Sequence, residues 1–205
     1  MLRKLLTEFI GTFFLVFVIA VSWDPFAIGI ILMVMVYMWG HISGAHYNPA
    51  ATIGVLVRGK INAKEAIGYI ITQLVAAFVA VVVALAVTWT AFVPAPAESA
   101  DMWQAFAVEL IFTFALVSVI LQVATNKKTK DNDYYGLAIW FTILAAAIVG
   151  GPISGWAFNP AVWLWPWFLD AIRGEGFEYV WLLYLVAPLL WWVLAGLTYK
   201  VITKK

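Results

Sequence analysis

Six stretches of this chain are apolar for close to the length that crosses a bilayer, which leaves few folds open to it. About 20 helical residues cover the roughly 30 Å of hydrocarbon. The stretches are Leu5–Ser22, Phe26–Ile42, Ala63–Phe92, Gln104–Thr125, Tyr134–Gly150 and Tyr179–Ile202. None alternates apolar with polar residues, so the pattern predicts helices and not the strands of a membrane barrel. The 205 residues are 65% hydrophobic and 11% charged, where a soluble domain is about half apolar and about a quarter charged. The expected fold class is an all-α membrane protein forming one transmembrane domain over residues 1–205. The first apolar run has no small-residue cleavage site after it, so it reads as a retained span rather than a signal peptide.

Two further apolar segments, Pro49–Val57 and Pro160–Leu169, are too short to cross. Nine or ten helical residues rise about 14 Å, roughly half the hydrocarbon. Each begins with proline, whose missing N–H costs nothing at the first helical position. Each is preceded by asparagine, a favoured N-cap. In isolation Asn-Pro marks an ordinary turn. Here "SGAHYNPA" (Ser43–Ala50) and "SGWAFNPA" (Ser154–Ala161) both open such a segment. They read as half-helices entering from opposite faces, buried in protein or lining a cavity, because lipid does not tolerate irregular backbone.

The halves repeat. "TEFIGTFFLV" (Thr7–Val16) resembles "VELIFTFALV" (Val108–Val117), placing Glu8 over Glu109 at an offset of 101. Asn48 falls over Asn159, and Leu74–Ala76 over Leu185–Ala187, at an offset of 111. With repeats at 1–98 and 99–205 each contributing three spans, the second half is inverted, an arrangement associated with transport at the bilayer midplane. Charge gives the orientation. Arg3, Lys4, Arg58, Lys60, Lys64, Lys127, Lys128, Lys130, Lys200, Lys204 and Lys205 fall on one side and only Arg173 on the other. That asymmetry predicts both termini on the cytoplasmic face.

Inverted half-helices meeting at the midplane point two positive dipole ends at one spot. The Asn48 and Asn159 amides would donate there to a water or alcohol oxygen. Pro49, Ala50, Pro160 and Ala161 complete the two blocks. The carbonyls of Gly44, Ala45 and His46, and of Gly155, Trp156 and Ala157, would supply acceptors. Such a pore passes small neutral molecules in single file and repels cations. The absence of cysteine excludes disulfides and thiol chemistry. No metal, nucleotide or catalytic constellation is evident, so no cofactor and no enzyme activity are expected. A net charge of +1 argues against nucleic acid as a partner.

On these residues the chain resembles the major intrinsic protein family, the aquaporins and aquaglyceroporins. Further markers are "GYIITQLVAA" with Gln73, Glu109, and Pro166 after the second block. The resemblance implies a right-handed bundle of six tilted helices, one pore per subunit and a homotetramer in the cell membrane. It also implies an outer selectivity filter at Ile28, Ala147, Trp156 and Val162. Members of the family usually carry an arginine at the last of these. Without it, the sequence favours a wider, more apolar mouth admitting water and solutes such as glycerol, urea or ammonia, with proton leakage more plausible than in typical relatives. Trp156 or Trp163 filling the gap is the alternative.

Glu8 and Glu109 lie inside spans, where a carboxylate is costly. Their matched positions beside non-helical loops favour a loop-supporting role over a proton relay, and Gln73 is expected to bond a re-entrant loop. His41 and His46 read as loop-packing residues before pH sensors. Most tryptophans read as interface anchors, but Trp163, Trp165 and Trp167 have no such account. The "TNKKTKDND" run reads as a solvated inner loop. The expected function is a passive channel for water and small neutral solutes. A proton-coupled secondary transporter and a structural membrane protein with a vestigial pore are the alternatives.

Overall fold

A computed structural model describes residues 1–89, 94–173, 184 and 187–203. The helices are α1 (Leu2–Ser22), α2 (Pro25–Ser43), α3 (Pro49–Val57), α4 (Ala63–Thr88), α5 (Met102–Thr125), α6 (Tyr135–Ser154), α7 (Pro160–Arg173) and α8 (Ala187–Thr203). A 3₁₀ turn, Lys127–Thr129, lies between α5 and α6. Among the described residues, α1, α2, α4, α5 and α6 are long and apolar enough to cross a membrane. The start of the sixth predicted span, the end of the third and the predicted positions of Glu175, Glu178, Lys204 and Lys205 lie outside the described residues. So does the side chain of Pro166.

The helix starts follow local chemistry. Asp24 accepts from the Ala27 N–H at 2.8 Å and caps α2. Asn62 accepts from Glu65 N–H at 2.9 Å and caps α4. Asp101 and Gln104 form a reciprocal capping box at α5 (2.7 and 2.9 Å). Three ends differ from the sequence expectation by four residues. α4 stops at Thr88, where Trp89 turns left-handed, and not at Phe92. α6 runs through Pro152 to Ser154 rather than stopping at Gly150, since a proline near a helix C-terminus removes only one bond of the ladder. α7 continues four residues past Leu169 to Arg173.

Packing obeys a two-fold pattern. α1 packs on α2 and α4, and α5 packs on α6 and α8. Each half-helix reaches across to the other half: α3 against α5 and α8, α7 against α1 and α4. α2 meets its counterpart α6, and α3 meets its counterpart α7. The inverted repeat read from the sequence is therefore also a repeat of contacts. Close approach rests on small residues: Ala66, Ala76, Ala77, Ala80 and Ala84 bury one side of α4, and the Tyr47 ring lies where a β-carbon on Gly11 would stand. The opposite side of α4 carries exposed Ile67, Ile71, Val75, Phe78 and Val82, an apolar face suited to hydrocarbon.

Candidate transmembrane pore

The two loops that precede α3 and α7 have the same backbone. Gly44, Ala45 and Tyr47 take positive φ (90°, 51° and 49°), and so do Gly155, Trp156 and Phe158 (72°, 52° and 41°). The left-handed region costs an L-residue roughly 1–2 kcal/mol, so the surroundings must hold these loops in place.

Two buried carboxylates do so. Glu8 Oε1 accepts from Ser43 Oγ (2.7 Å) and the His46 N–H (2.9 Å). Its Oε2 accepts from the Tyr47 N–H (2.8 Å) and Gln73 Nε2 (2.9 Å). Glu109 Oε1 accepts from Ser154 Oγ (2.8 Å) and the Ala157 N–H (3.1 Å), and Oε2 from the Phe158 N–H (2.8 Å). A carboxylate that accepts from several donors at once is the arrangement in which a buried charge is tolerable. Tyr69 donates to the Ser43 carbonyl (2.8 Å) and Tyr184 to that of Ser154.

At the junction the two halves bond each other. Asn48 Nδ2 donates to the Phe158 carbonyl and Asn159 Nδ2 to the Tyr47 carbonyl, both at 3.0 Å. Asn48 Oδ1 accepts from the Ala50 N–H (2.7 Å) and Asn159 Oδ1 from the Ala161 N–H (3.0 Å). Each amide is thus locked at the first turn of its half-helix with Pro49 or Pro160 at N1. One of its two N–H groups is used across the junction, and the other remains. Both asparagines line a cavity of about 50 Å³, room for a few waters.

The rest of that cavity is mostly aliphatic, built from pairs four residues apart that share a helix face. They are Leu15 and Ile19 on α1, Leu116 and Ile120 on α5, and Ile139 and Ile143 on α6, with Ile28, Leu32 and Val36 along α2. Of the predicted site residues, Ile28, Ala45, His46, Asn48, Trp156, Ala157, Asn159 and Val162 line it. Ala147 is buried and not among them. Gly155 is packed on the backbone of Ala95, and Gly44 lines a second cavity. Ala50 and Ala161 are buried in the helix packing behind the junction.

The halves differ behind the loops. His46 Nδ1 lies 3.1 Å from Thr52 Oγ1, which takes 3.0 Å bonds with Gln73 Nε2 and the Asn48 carbonyl. The hydroxyl has one proton; directed to the Asn48 carbonyl, it must accept from Nδ1–H, and His46 Nε2 is left an acceptor. The positions 111 residues on are Ala157, Trp163 and Tyr184. These pack as an apolar cluster, with the Trp163 and Tyr184 ring centroids 5.9 Å apart. Trp163 therefore fills the space that Thr52 and its polar neighbours occupy in the first half. Trp165 Nε1 donates to the Leu74 carbonyl at 2.6 Å, tying α7 to α4, and Trp167 stacks on Trp163. Trp156 packs 5.2 Å from the Trp23 ring.

Sequence reasoning expected an aliphatic wall but passed over Ser43, Ser154, Tyr69, Tyr184 and the identity of the wall residues. The serines carried a signal, since both blocks open with Ser-Gly. The wall did not, because its residues look like any lipid-facing residue until the helices are assembled.

The family description "Major intrinsic protein" matches residues 1–199. "Glycerol uptake facilitator protein-like 6" of Lactiplantibacillus plantarum is 35% identical, covering 98% of this chain and 98% of that protein. Nodulin-26 of Glycine max is 32% identical, covering 98% of this chain and 78% of that one. The X-ray structure of the aquaglyceroporin from Plasmodium falciparum superposes with a TM-score of 0.85 at 25% identity, covering 98% of this chain and 97% of that one.

Proposed function

Because the chain belongs to the major intrinsic protein family, we propose that water and small neutral solutes cross the membrane passively through the cavity between its two half-helices. The observation that carries this reading is the pair of cross-bonded asparagines at opposed helix N-termini. Each retains one amide N–H for a passing oxygen. An oxygen accepting from both directs its own hydrogens away along the file, while the two dipole ends disfavour a cation at the same point.

Ile28, Trp156 and Val162 line that cavity, and we assign the outer filter to them, with Ala147 behind. None carries charge, so selection at this end rests on size and on the loss of hydration. Glycerol, urea and ammonia are the solutes proposed besides water. The loop carbonyls of Ala45, His46, Trp156 and Ala157 are the proposed acceptors, and Glu8, Glu109 and Gln73 the supports that hold the loops. The basic end of the bundle is proposed to face the cytoplasm, in the cell membrane, with residues 1–205 as one domain and four copies per assembly.

Stopped-flow light scattering on proteoliposomes jumped into hyperosmotic glycerol tests this in one trace. Shrinkage reports water and re-swelling reports glycerol. Both phases are expected to outpace empty vesicles. Fast shrinkage without re-swelling would restrict the channel to water, with Trp156 closing the filter. Neither phase above the control, for folded protein, would overturn the channel reading.

A further inference from the structure

None of the basic residues of the loop between α5 and α6 lines the cavity that holds the asparagines. A second cavity of about 250 Å³ lies there, lined by His41, Lys130, Asn132 and Tyr135 among others. Among the described residues, those lining both cavities are Val36, Ala45, Ile120 and Ile139. They come from α2, the first loop, α5 and α6, so four elements and not one wall meet between the two cavities. None of the four side chains is polar. The vestibule on one side offers Lys130, Asn132 and His41, and the cavity on the other offers Asn48 and Asn159. The neck is apolar in its side chains and lies between two spaces lined in part by polar ones.

The inverted repeat gives the neck a meaning. Ile139 is the counterpart of Ile28, and Ala45 that of Trp156, each at the offset of 111 that relates Asn48 to Asn159. Val36 is the counterpart of Ala147 at the same offset, and Ile120 that of Ile19 at the offset of 101 that relates the two glutamates. Three of the four neck positions are therefore the two-fold images of positions assigned to the outer filter. The images are filled in a complementary way. The outer set has the small residue on α6 and the large ring on the loop. The neck has the larger residue, Val36, on its helix and the small residue, Ala45, on its loop.

We propose that Val36, Ala45, Ile120 and Ile139 form a second selectivity filter at the basic end of the pore. It rests on the channel reading and deepens it. A solute entering the neck loses hydrogen-bonded water and gains no polar side chain, so a polyol is slowed more than water is. Such apolar constrictions can also empty of water and close. The loop between α5 and α6 braces the neck from the vestibule side. Asn132 Nδ2 donates to the Val123 carbonyl (2.8 Å), and Thr129 Oγ1 to the Gln122 carbonyl (2.6 Å), each within one turn of Ile120 along α5. The "TNKKTKDND" run is thus a folded collar over the pore mouth.

The test uses the full chain in proteoliposomes with the same glycerol jump, comparing Ile139→Ala, Val36→Ala and Ile139→Phe. Size-exclusion profile and thermal midpoint establish that each is folded, and two widening variants guard against one failing. Widening is expected to raise glycerol re-swelling roughly threefold or more with a smaller change in shrinkage, and the phenylalanine to slow both phases. If the unaltered chain conducts and all folded variants match its rates, the neck is overturned and the channel stands. If neither the unaltered chain nor either widened variant exceeds empty vesicles, the channel reading fails and the neck with it. A silent parent with conducting widened variants supports the neck as the closure.

Discussion

Glu8 and Glu109 show how much one side chain can organise. Each is fully buried, and each gathers donors from a loop whose backbone is unfavourable by itself. Replacing a carboxylate oxygen by an amide nitrogen sets an N–H against an N–H. Glu8→Gln is expected to destabilise the folded protein by about 1–3 kcal/mol, seen as a lowered thermal midpoint in detergent. Glu109→Gln should cost less, because Glu109 gathers three donors and Glu8 four. A proton-coupled transporter predicts something different: Glu8→Gln would abolish dependence on an imposed pH gradient with stability unchanged. That outcome would remove the structural assignment of this carboxylate. That both residues need partners was legible in the sequence, since a charge repeated at equivalent places inside two spans is costly alone. The hydroxyls of Tyr69 and Tyr184, which donate to the Ser43 and Ser154 carbonyls of the same loops, were not legible, because a tyrosine in a span reads equally well as an interface anchor.

At the scale of elements, the half-helices depend on the turns that introduce them. Gly155 takes positive φ, and a β-carbon there would overlap the backbone of Ala95. Gly59, also at positive φ, has open space around that position. Gly59→Ala should therefore carry only the left-handed penalty of roughly 1–2 kcal/mol. Gly155→Ala must also move backbone, and should lower both the thermal midpoint and water permeability more than Gly59→Ala does. Equal effects would mean that the Ala95 contact is not needed to seat the second loop. The length of α7 was misjudged from sequence for a related reason. Hydropathy falls at Asp170, yet the helix continues to Arg173, because local composition weakens a helix without ending it when no glycine or proline follows at once.

The whole molecule is an inverted pair, and the orientation proposed for it rests on charge. The chain has no cysteine, so single cysteines report sidedness without background. In sealed cells, Ser99→Cys is expected to react with a membrane-impermeant maleimide, and Lys128→Cys only after lysis. The reverse result would place the vestibule and its neck on the outer face and would overturn the positive-inside assignment. The two-fold pattern of contacts also explains why the halves can differ where they do. Behind the loops, a polar trio of His46, Thr52 and Gln73 in one half is matched by Ala157, Trp163 and Tyr184 in the other. Both sets brace a loop of the same shape, one with hydrogen bonds among its side chains and one with ring packing and the Tyr184 hydroxyl.

The sequence by itself determined the spans, the half-helices, the inversion and the two asparagines. All of these are local signals: hydropathy over a helix length, proline after a capping asparagine, and a motif repeated at a constant offset. Tertiary structure alone decided which apolar residues face water. Ile139 and Ile143 border the cavity while Phe141 on the same helix is exposed on the outer surface, and in a span that is apolar all round no periodicity separates the two. The neck is beyond sequence reading for the same reason. Its four residues come from four elements, and only when the helices close around one axis do four ordinary aliphatic side chains become a constriction.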